Sequence, residues 1–461
     1  MADGTVGESC LGGRVSGRGV IGSGRMATAQ ILTVGDELLS GDTVNSNLAF
    51  MGERCRMLGI TVLRAVSVRD RVEEIVAALR DAAGWADLCL VSGGLGPTSD
   101  DLTADAVAAA CGVSLVRNAD AVAVMTEMFA RFGRPMPENN KKQADLPAGS
   151  DMLVNPIGTA PGFAAWLPES AGKRCFVACM PGVPREMKRM MTEQVEPRVS
   201  RAFALTPVHR RVYRAIGRGE SAIAVDIEPI VAAARTRSPG LAGLYLHYRA
   251  AAPQVLVIAE GTPGPDGARA TEEELAALDR EIAPALSPAV YGIGEADLAA
   301  RVVAALARGG KTLGTAESCT GGRVSAMITA VAGSSAVFFG GVVAYANEVK
   351  VRRLGVAAAD IEEHGAVSEA VARAMAEGAR RALGVDFAVA VTGIAGPGGG
   401  TEAKPVGTVD VAVADAEGCR YKRLKLFGER ELIQHVSATW ALKLVWDRLV
   451  EKGLTSVEVM D

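Results

Sequence analysis

Ser318 and Lys350 are the residues of this 461-residue chain whose types could together open a carbonyl bond. Ser318 lies in Ala316-Glu317-Ser318-Cys319-Thr320-Gly321-Gly322, between a run that reads as a strand (residues 311–315) and an apolar run that reads as a helix (324–331). A serine at a strand-to-helix turn has an exposed hydroxyl, and amides at the helix start can hold an anion. The same heptapeptide also reads as a tight turn with a helix cap, because Ser and Thr cap well. A serine that attacks a carbonyl needs a base. Of the four histidines only His364 and His435 fall in this part of the chain, and neither sits beside a strand end with an acidic partner. Lys350, in Tyr345-Ala346-Asn347-Glu348-Val349-Lys350, is the alternative base if burial lowers its pKa, as in Ser–Lys enzymes; otherwise it is one more surface lysine. Tyr345 could relay a proton or orient that lysine. Amides near Thr320, Gly321 and Gly322 could form an oxyanion hole. The glycine-rich run after Thr392 and Gly393, and Arg430 at the start of the last helix, suit a phosphate. Their plainer readings are a loose loop and a solvated helix residue.

A second cluster lies near the other end. Gly35-Asp36-Glu37 and Ser92-Gly93-Gly94-Leu95-Gly96-Pro97-Thr98-Ser99-Asp100-Asp101 each follow a strand-like run. Both should meet at the carboxyl edge of one sheet, where α/β proteins build sites. Gly35, Gly93, Gly94 and Gly96 offer amides to phosphate, with Thr98 beside them. Asp36, Glu37, Asp100 and Asp101 could bind a divalent metal (Mg, Mn or Co) through oxygen. The alternative is that Asp100 and Asp101 only cap the next helix.

The elements that must position these residues alternate in type. Strands are expected at 30–34, 61–67 and 87–92, with helices at 45–58, 70–79 and from 101. Asp70 and Glu73 stand at capping-box spacing. In the middle, 209–216 and 254–260 read as strands, 221–234 and 271–282 as helices, and 287–295 as a linker. Further on, 296–308, 368–383 and 430–450 read as helices, and 386–391 and 406–414 as strands. The fold class is therefore α/β: two three-layer α/β domains (27–194 and 296–461) joined by a small α+β domain with its linker (195–295). Residues 1–26 read as a disordered extension without a secretory apolar core, and Met26 reads as the true start.

Composition narrows the class. Apolar residues make up 49% and aromatics 4%, so Ala, Val, Leu and Gly carry the core, which suits parallel layers. The formal charge of −4 comes without a basic block, so no nucleic-acid groove is expected. No apolar run is long enough to span a membrane. Eight scattered cysteines without a Cys-x-x-Cys suit a reduced, cytoplasmic protein.

At this point the chain resembles a known family. Residues 316–322, Gly340-Gly341 with Tyr345 and Lys350, Leu354-Gly355-Val356, His364-Gly365-Ala366-Val367-Ser368, Thr392-Gly393 through Pro397, and Lys404-Pro405-Val406-Gly407 look like the C-terminal domain of the CinA (competence/damage-inducible) family. The resemblance implies a nicotinamide mononucleotide deamidase that yields nicotinate mononucleotide and ammonia, without a metal or other cofactor. It casts Ser318 as nucleophile, Lys350 as base, Tyr345 as supporting hydroxyl and Ser335 as an assisting group. It casts Thr392 as a substrate contact and Arg430 as the phosphate holder. The glycine loops of the first domain, together with Asn155-Pro156-Ile157-Gly158 and Met180-Pro181-Gly182-Val183-Pro184, resemble the MoaB/MogA-like molybdopterin-binding fold. In that branch some relatives are similar to metal-dependent ADP-ribose pyrophosphatases. The middle domain looks like a KH-like insert. Small nucleotides and a second copy of the chain, forming a homodimer, are the implied partners. The rival expectation is a molybdopterin- or nucleotide-binding regulator with an idle C-terminal site.

Overall fold

In a computed structural model, residues 26–203, 205 and 207–460 are described here, so the reading of residues 1–25 falls outside them. The chain divides into two compact units at Val208/His209.

The first unit is built on β1 (Thr28–Val34), β2 (Thr61–Val68) and β3 (Leu88–Ser92). A two-stranded ribbon of β4 (Leu115–Arg117) and β5 (Asp145–Pro147) follows. β6 (Asp151–Leu153), β7 (Gly162–Trp166) and β8 (Phe176–Met180) then complete the sheet. Its order is β2-β1-β3-β8-β7-β6. The first four strands run parallel, β7 is antiparallel to β8, and β6 is antiparallel to β7. Leu32 and Val34 enter one core with Ile75, Leu79 and Val91. Ala29 and Ile31 enter the other with Met51, Leu90 and Met187. β3 and β8 are buried along their whole length, which is why they are almost continuously apolar. The helix Glu196–Ala202 belongs here, because Val199 and Phe203 fill the second core. The unit therefore runs past the expected boundary at 194. Asp70 does not cap the next helix: that helix spans Val72–Trp85 with Arg71 as an uncapped N-cap, and the Asp70 carboxylate accepts from the Asp36 amide at 3.0 Å.

The second unit contains two sheets. β9 (Arg210–Ile216), β10 (Leu244–Ala251), β11 (Gln254–Gly261) and β12 (Val290–Ile293) form an antiparallel sheet in the order β10-β11-β9-β12. The helices Glu220–Arg235 and Glu272–Leu286 cover it, the latter opened by a Thr271–Glu274 capping box. The expected linker at 287–295 thus holds a strand.

The other sheet holds β13 (Leu313–Glu317), β14 (Phe338–Val343), β15 (Phe387–Gly393), β16 (Thr408–Asp415) and β17 (Gly418–Lys425), ordered β14-β13-β15-β16-β17. β13 is parallel to both neighbours, with Glu317 opposite Val343 and Val391, whereas β16 and β17 are antiparallel. The two faces are graded by size. Val389, Val391, Val411 and Val413 pack with Leu442, Val445 and Trp446 of the helix Arg430–Glu451. Ala316, Ala388, Ala390, Ala412 and Ala414 accept the helix Glu369–Leu383. That helix approaches so closely at Gly378 that a Cβ would stand 1.9 Å from the Leu354 carbonyl oxygen.

Candidate functional site

Because β13, β14 and β15 run parallel in register, their carboxyl ends open on one edge. Ser318, Ala344–Tyr345 and Thr392–Gly393 meet there. The Ser318 amide donates to the Val391 carbonyl at 2.9 Å and ties the turn to β15. Gly321 and Gly322 have positive φ, 63° and 105°, so the chain reverses into the helix Arg323–Thr329 over two left-handed residues that favour glycine. Ser318 is 8% exposed.

The amides at the start of that helix already hold an anion. The buried Glu317 carboxylate accepts from the Gly322, Val324 and Ser325 amides at 2.9, 3.0 and 2.8 Å, and from the Ser325 hydroxyl at 2.7 Å. Gly321 N–H is spent on the Ser318 carbonyl, and Arg323 N–H on that of Thr320. Among the described residues, only the Cys319 and Thr320 amides of the turn lack an acceptor outside their own residue. The Gly321 and Gly322 amides, expected as donors beside Thr320, are thus committed within the turn, and those of Cys319 and Thr320 remain.

Lys350 projects from the helix Asn347–Leu354 and is 1% exposed. Its Nζ donates to the Ala344 carbonyl at 2.9 Å and the Tyr345 carbonyl at 3.2 Å. Burial lowers its pKa from the ordinary 10.5, since removal from water penalises the ammonium. Once deprotonated, the amine can keep two N–H groups on these carbonyls and leave its lone pair free. Ser318 Oγ and Lys350 Nζ make no hydrogen bond to each other among the described residues; catalytic contacts often tighten only with substrate. Lys350 and Arg430 both lie close enough to the Cys319 thiol to act on it electrostatically.

Tyr345 is 60% exposed, and its hydroxyl accepts from Arg430 Nη2 at 2.9 Å. It is the Tyr345 carbonyl, not the hydroxyl, that orients the lysine. Arg430 Nη1 donates to the Gly396 carbonyl at 2.7 Å, so the glycine loop, Tyr345 and the terminal helix converge on one exposed guanidinium. Thr392 is buried, and its hydroxyl donates to the Ala366 carbonyl at 2.8 Å. That tie spends its proton on the fold and removes the hydroxyl as a donor to substrate. Gly393 follows at the strand end, where a Cβ would crowd the Thr408 carbonyl at 3.0 Å. Ser335 is exposed in the turn Ser334–Ala336 and bonds to neither Ser318 nor Lys350. Sequence reasoning missed Glu317 as a cap and Gln434, whose Nε2 donates to the Cys319 carbonyl at 2.8 Å.

The N-terminal loops also meet at one edge. Gly35 N–H bonds the Val68 carbonyl, and Gly93 N–H that of Met180, each at 3.1 Å. Gly93 and Gly94 have positive φ, and a Cβ on Gly96 would strike the Asp101 carboxylate at 2.4 Å. Asp101 folds back on Thr98, accepting its amide at 2.8 Å and its hydroxyl. Lys142, which the sequence reading passed over, donates to the Thr98 and Asp101 carbonyls at 2.8 Å each. Asp36, Glu37 and Asp100 lie near Asp70, whose pKa burial raises, with their charges adding to that rise. Among the described residues no three His, Cys, Asp or Glu side chains form a group that could hold a metal. Asp101, one of the four carboxylates expected to hold a metal, instead accepts from Thr98 within its own loop. No described helix is long and apolar enough to cross a membrane.

Residues 295–449 match the family described as the CinA C-terminal domain, and residues 30–201 match the one described as "Probable molybdopterin binding domain". A CinA-like protein of Anaeromyxobacter sp. (strain Fw109-5) is 42% identical over 416 residues, 90% of this chain and 98% of that protein. A CinA-like protein of Shewanella sp. (strain MR-4) is 39% identical over 443 residues, 95% and 98% of the two chains. Among solved structures, the competence/damage-inducible protein from Agrobacterium tumefaciens is 40% identical; it covers 33% of this chain and 93% of its own, with a TM-score of 0.32.

Proposed function

The chain belongs to the CinA family, and on that premise we propose that it hydrolyses the carboxamide of nicotinamide mononucleotide at Ser318. The observation that carries this reading is the buried amine of Lys350 at the sheet edge where Ser318 turns, with its N–H groups held by two backbone carbonyls. Lys350 takes the Ser318 proton as Oγ adds to the carboxamide carbon. The oxygen that becomes negative faces the Cys319 and Thr320 amides. The Lys350 ammonium gives its proton to the carboxamide nitrogen as the oxyanion collapses, and the C–N bond breaks to release ammonia. Water then attacks the ester on Ser318, with Lys350 again as base, and nicotinate mononucleotide leaves. Arg430, exposed and joined to Tyr345 and the glycine loop, supports the phosphate. Ser335, exposed in the turn before β14, is the proposed assisting group, and Thr392 acts through the fold.

For the N-terminal unit we propose a phosphate-bearing nucleotide or pterin as ligand, supported by the left-handed glycine turn at 93–94 and the Lys142-braced loop. ADP-ribose is the probe of choice there. The test of the C-terminal reading is acid-quenched mass spectrometry of the Ser318 peptide during turnover. A nicotinoyl mononucleotide ester on that peptide is expected. Turnover with label on any other residue would overturn the assignment.

A further inference from the structure

Gln434 lies one helical turn beyond Arg430, on the same face of the terminal helix. Its side-chain amide reaches across to the Cys319 carbonyl at 2.8 Å. Only the nitrogen of that amide can donate to a carbonyl, so its orientation is fixed. The Cys319 carbonyl and the Thr320 N–H belong to one planar trans peptide and point in opposite directions. Whatever holds the carbonyl therefore aims the N–H. Glu317 has taken the Gly322 amide, and the Ser318 and Thr320 carbonyls have taken those of Gly321 and Arg323. The Thr320 amide is one of two left for an oxyanion.

From this we propose that Gln434 is a positioning residue: it locks the Cys319–Thr320 peptide so that the Thr320 N–H faces the negative oxygen formed when Ser318 attacks. The inference rests on Ser318 being the nucleophile, but not on the identity of the nucleotide. It also gives the terminal helix two tasks from adjacent turns, with Arg430 at the phosphate end and Gln434 at the reacting carbonyl.

An alkyl fluorophosphonate tests it on the full chain. Ser318 Oγ bonds to phosphorus, fluoride leaves, the serine proton passes to Lys350, and the phosphoryl oxygen needs the same donors as a carbonyl oxygen. Gln434→Ala should slow labelling of Ser318 by about 10- to 100-fold, somewhat less than complete removal of a donor. Gln434→Glu should be at least as slow, although it is nearly isosteric, because a carboxylate cannot donate to the Cys319 carbonyl. Neither variant should shift Tm or nucleotide affinity, and with nicotinamide mononucleotide the loss should fall on kcat and not KM. Wild-type labelling rates in both variants, or a loss that follows nucleotide affinity, would overturn the proposal, as would a wild-type Ser318 that the probe does not modify. Slowed variants beside a labelled wild type support it even if no ammonia is released from the nucleotide; that result would sink the substrate assignment alone.

Discussion

Two neighbours at the turn carry nucleophilic atoms, and burial treats them differently. Desolvation pushes the Cys319 thiol up to about 12, so it stays protonated near neutral pH and is a poor nucleophile. Ser318 needs no ionisation of its own if a neutral amine takes its proton. Ser318→Ala should therefore abolish deamidation, while Cys319→Ala keeps most of it, with ammonia release as the measure. Lys350 gives the pH dependence its sign. The base works only when deprotonated, and burial lowers its pKa below 10.5, so kcat/KM should rise with pH and level off at a midpoint below that value. Lys350→Met should lower the rate by roughly 10²- to 10⁴-fold and remove this acid limb from what remains. A surviving limb would assign it to another group. The placement of Ser318 and Lys350 at one sheet edge was legible in the sequence, because each follows an apolar strand-like run. Glu317 and Gln434 were not. Their partners are backbone groups, and no side-chain spacing announces such a contact.

At the scale of elements, the helix Arg323–Thr329 is capped from outside itself by Glu317. Glu317→Gln replaces one acceptor oxygen with a donor that faces backbone N–H groups, which should cost about 1–3 kcal/mol. Urea titration of the purified variant would measure it; an unchanged midpoint would mean that the cap is not a stabilising contact. The start of the terminal helix has a separate task. Arg430→Ala should reduce kcat/KM for the nucleotide by about 1.5–3 kcal/mol and spare phosphate-free nicotinamide riboside. Equal losses on both substrates would place Arg430 in the fold or the chemistry. Alternation of strand and helix was readable from apolar runs, since β3, β13 and β15 are buried on both faces. β17 escaped because it is a mostly exposed edge rich in Arg and Lys, and β12 because four residues beside a Pro and two Gly read as a connection.

At the scale of the molecule, the chain's end returns to the middle of the second unit. Val459 pairs with Ile293, Met460 N–H donates to the Ile293 carbonyl at 2.9 Å, and the buried Arg301 gathers the Glu458, Met460, Ala296 and Ile293 carbonyls. Every proposed amidase residue still lies after residue 296. A fragment of residues 296–461 should therefore retain deamidase activity, yet melt below a fragment of 209–461, which keeps β12 as the partner of the tail. Differential scanning calorimetry of the two fragments would decide this, and equal Tm values would mean that the tail contributes nothing to stability. This return was invisible in the sequence, because a pairing across more than 160 residues leaves no local period. The central claim, that this family member is an amidase working through Ser318, is tested most directly by ammonia release. Full-length protein and its Ser318→Ala variant should be compared on nicotinamide mononucleotide in the presence of EDTA. The account predicts stoichiometric ammonia and nicotinate mononucleotide from the wild type and none from the variant; equal release from both, or none from a folded wild type, would contradict it.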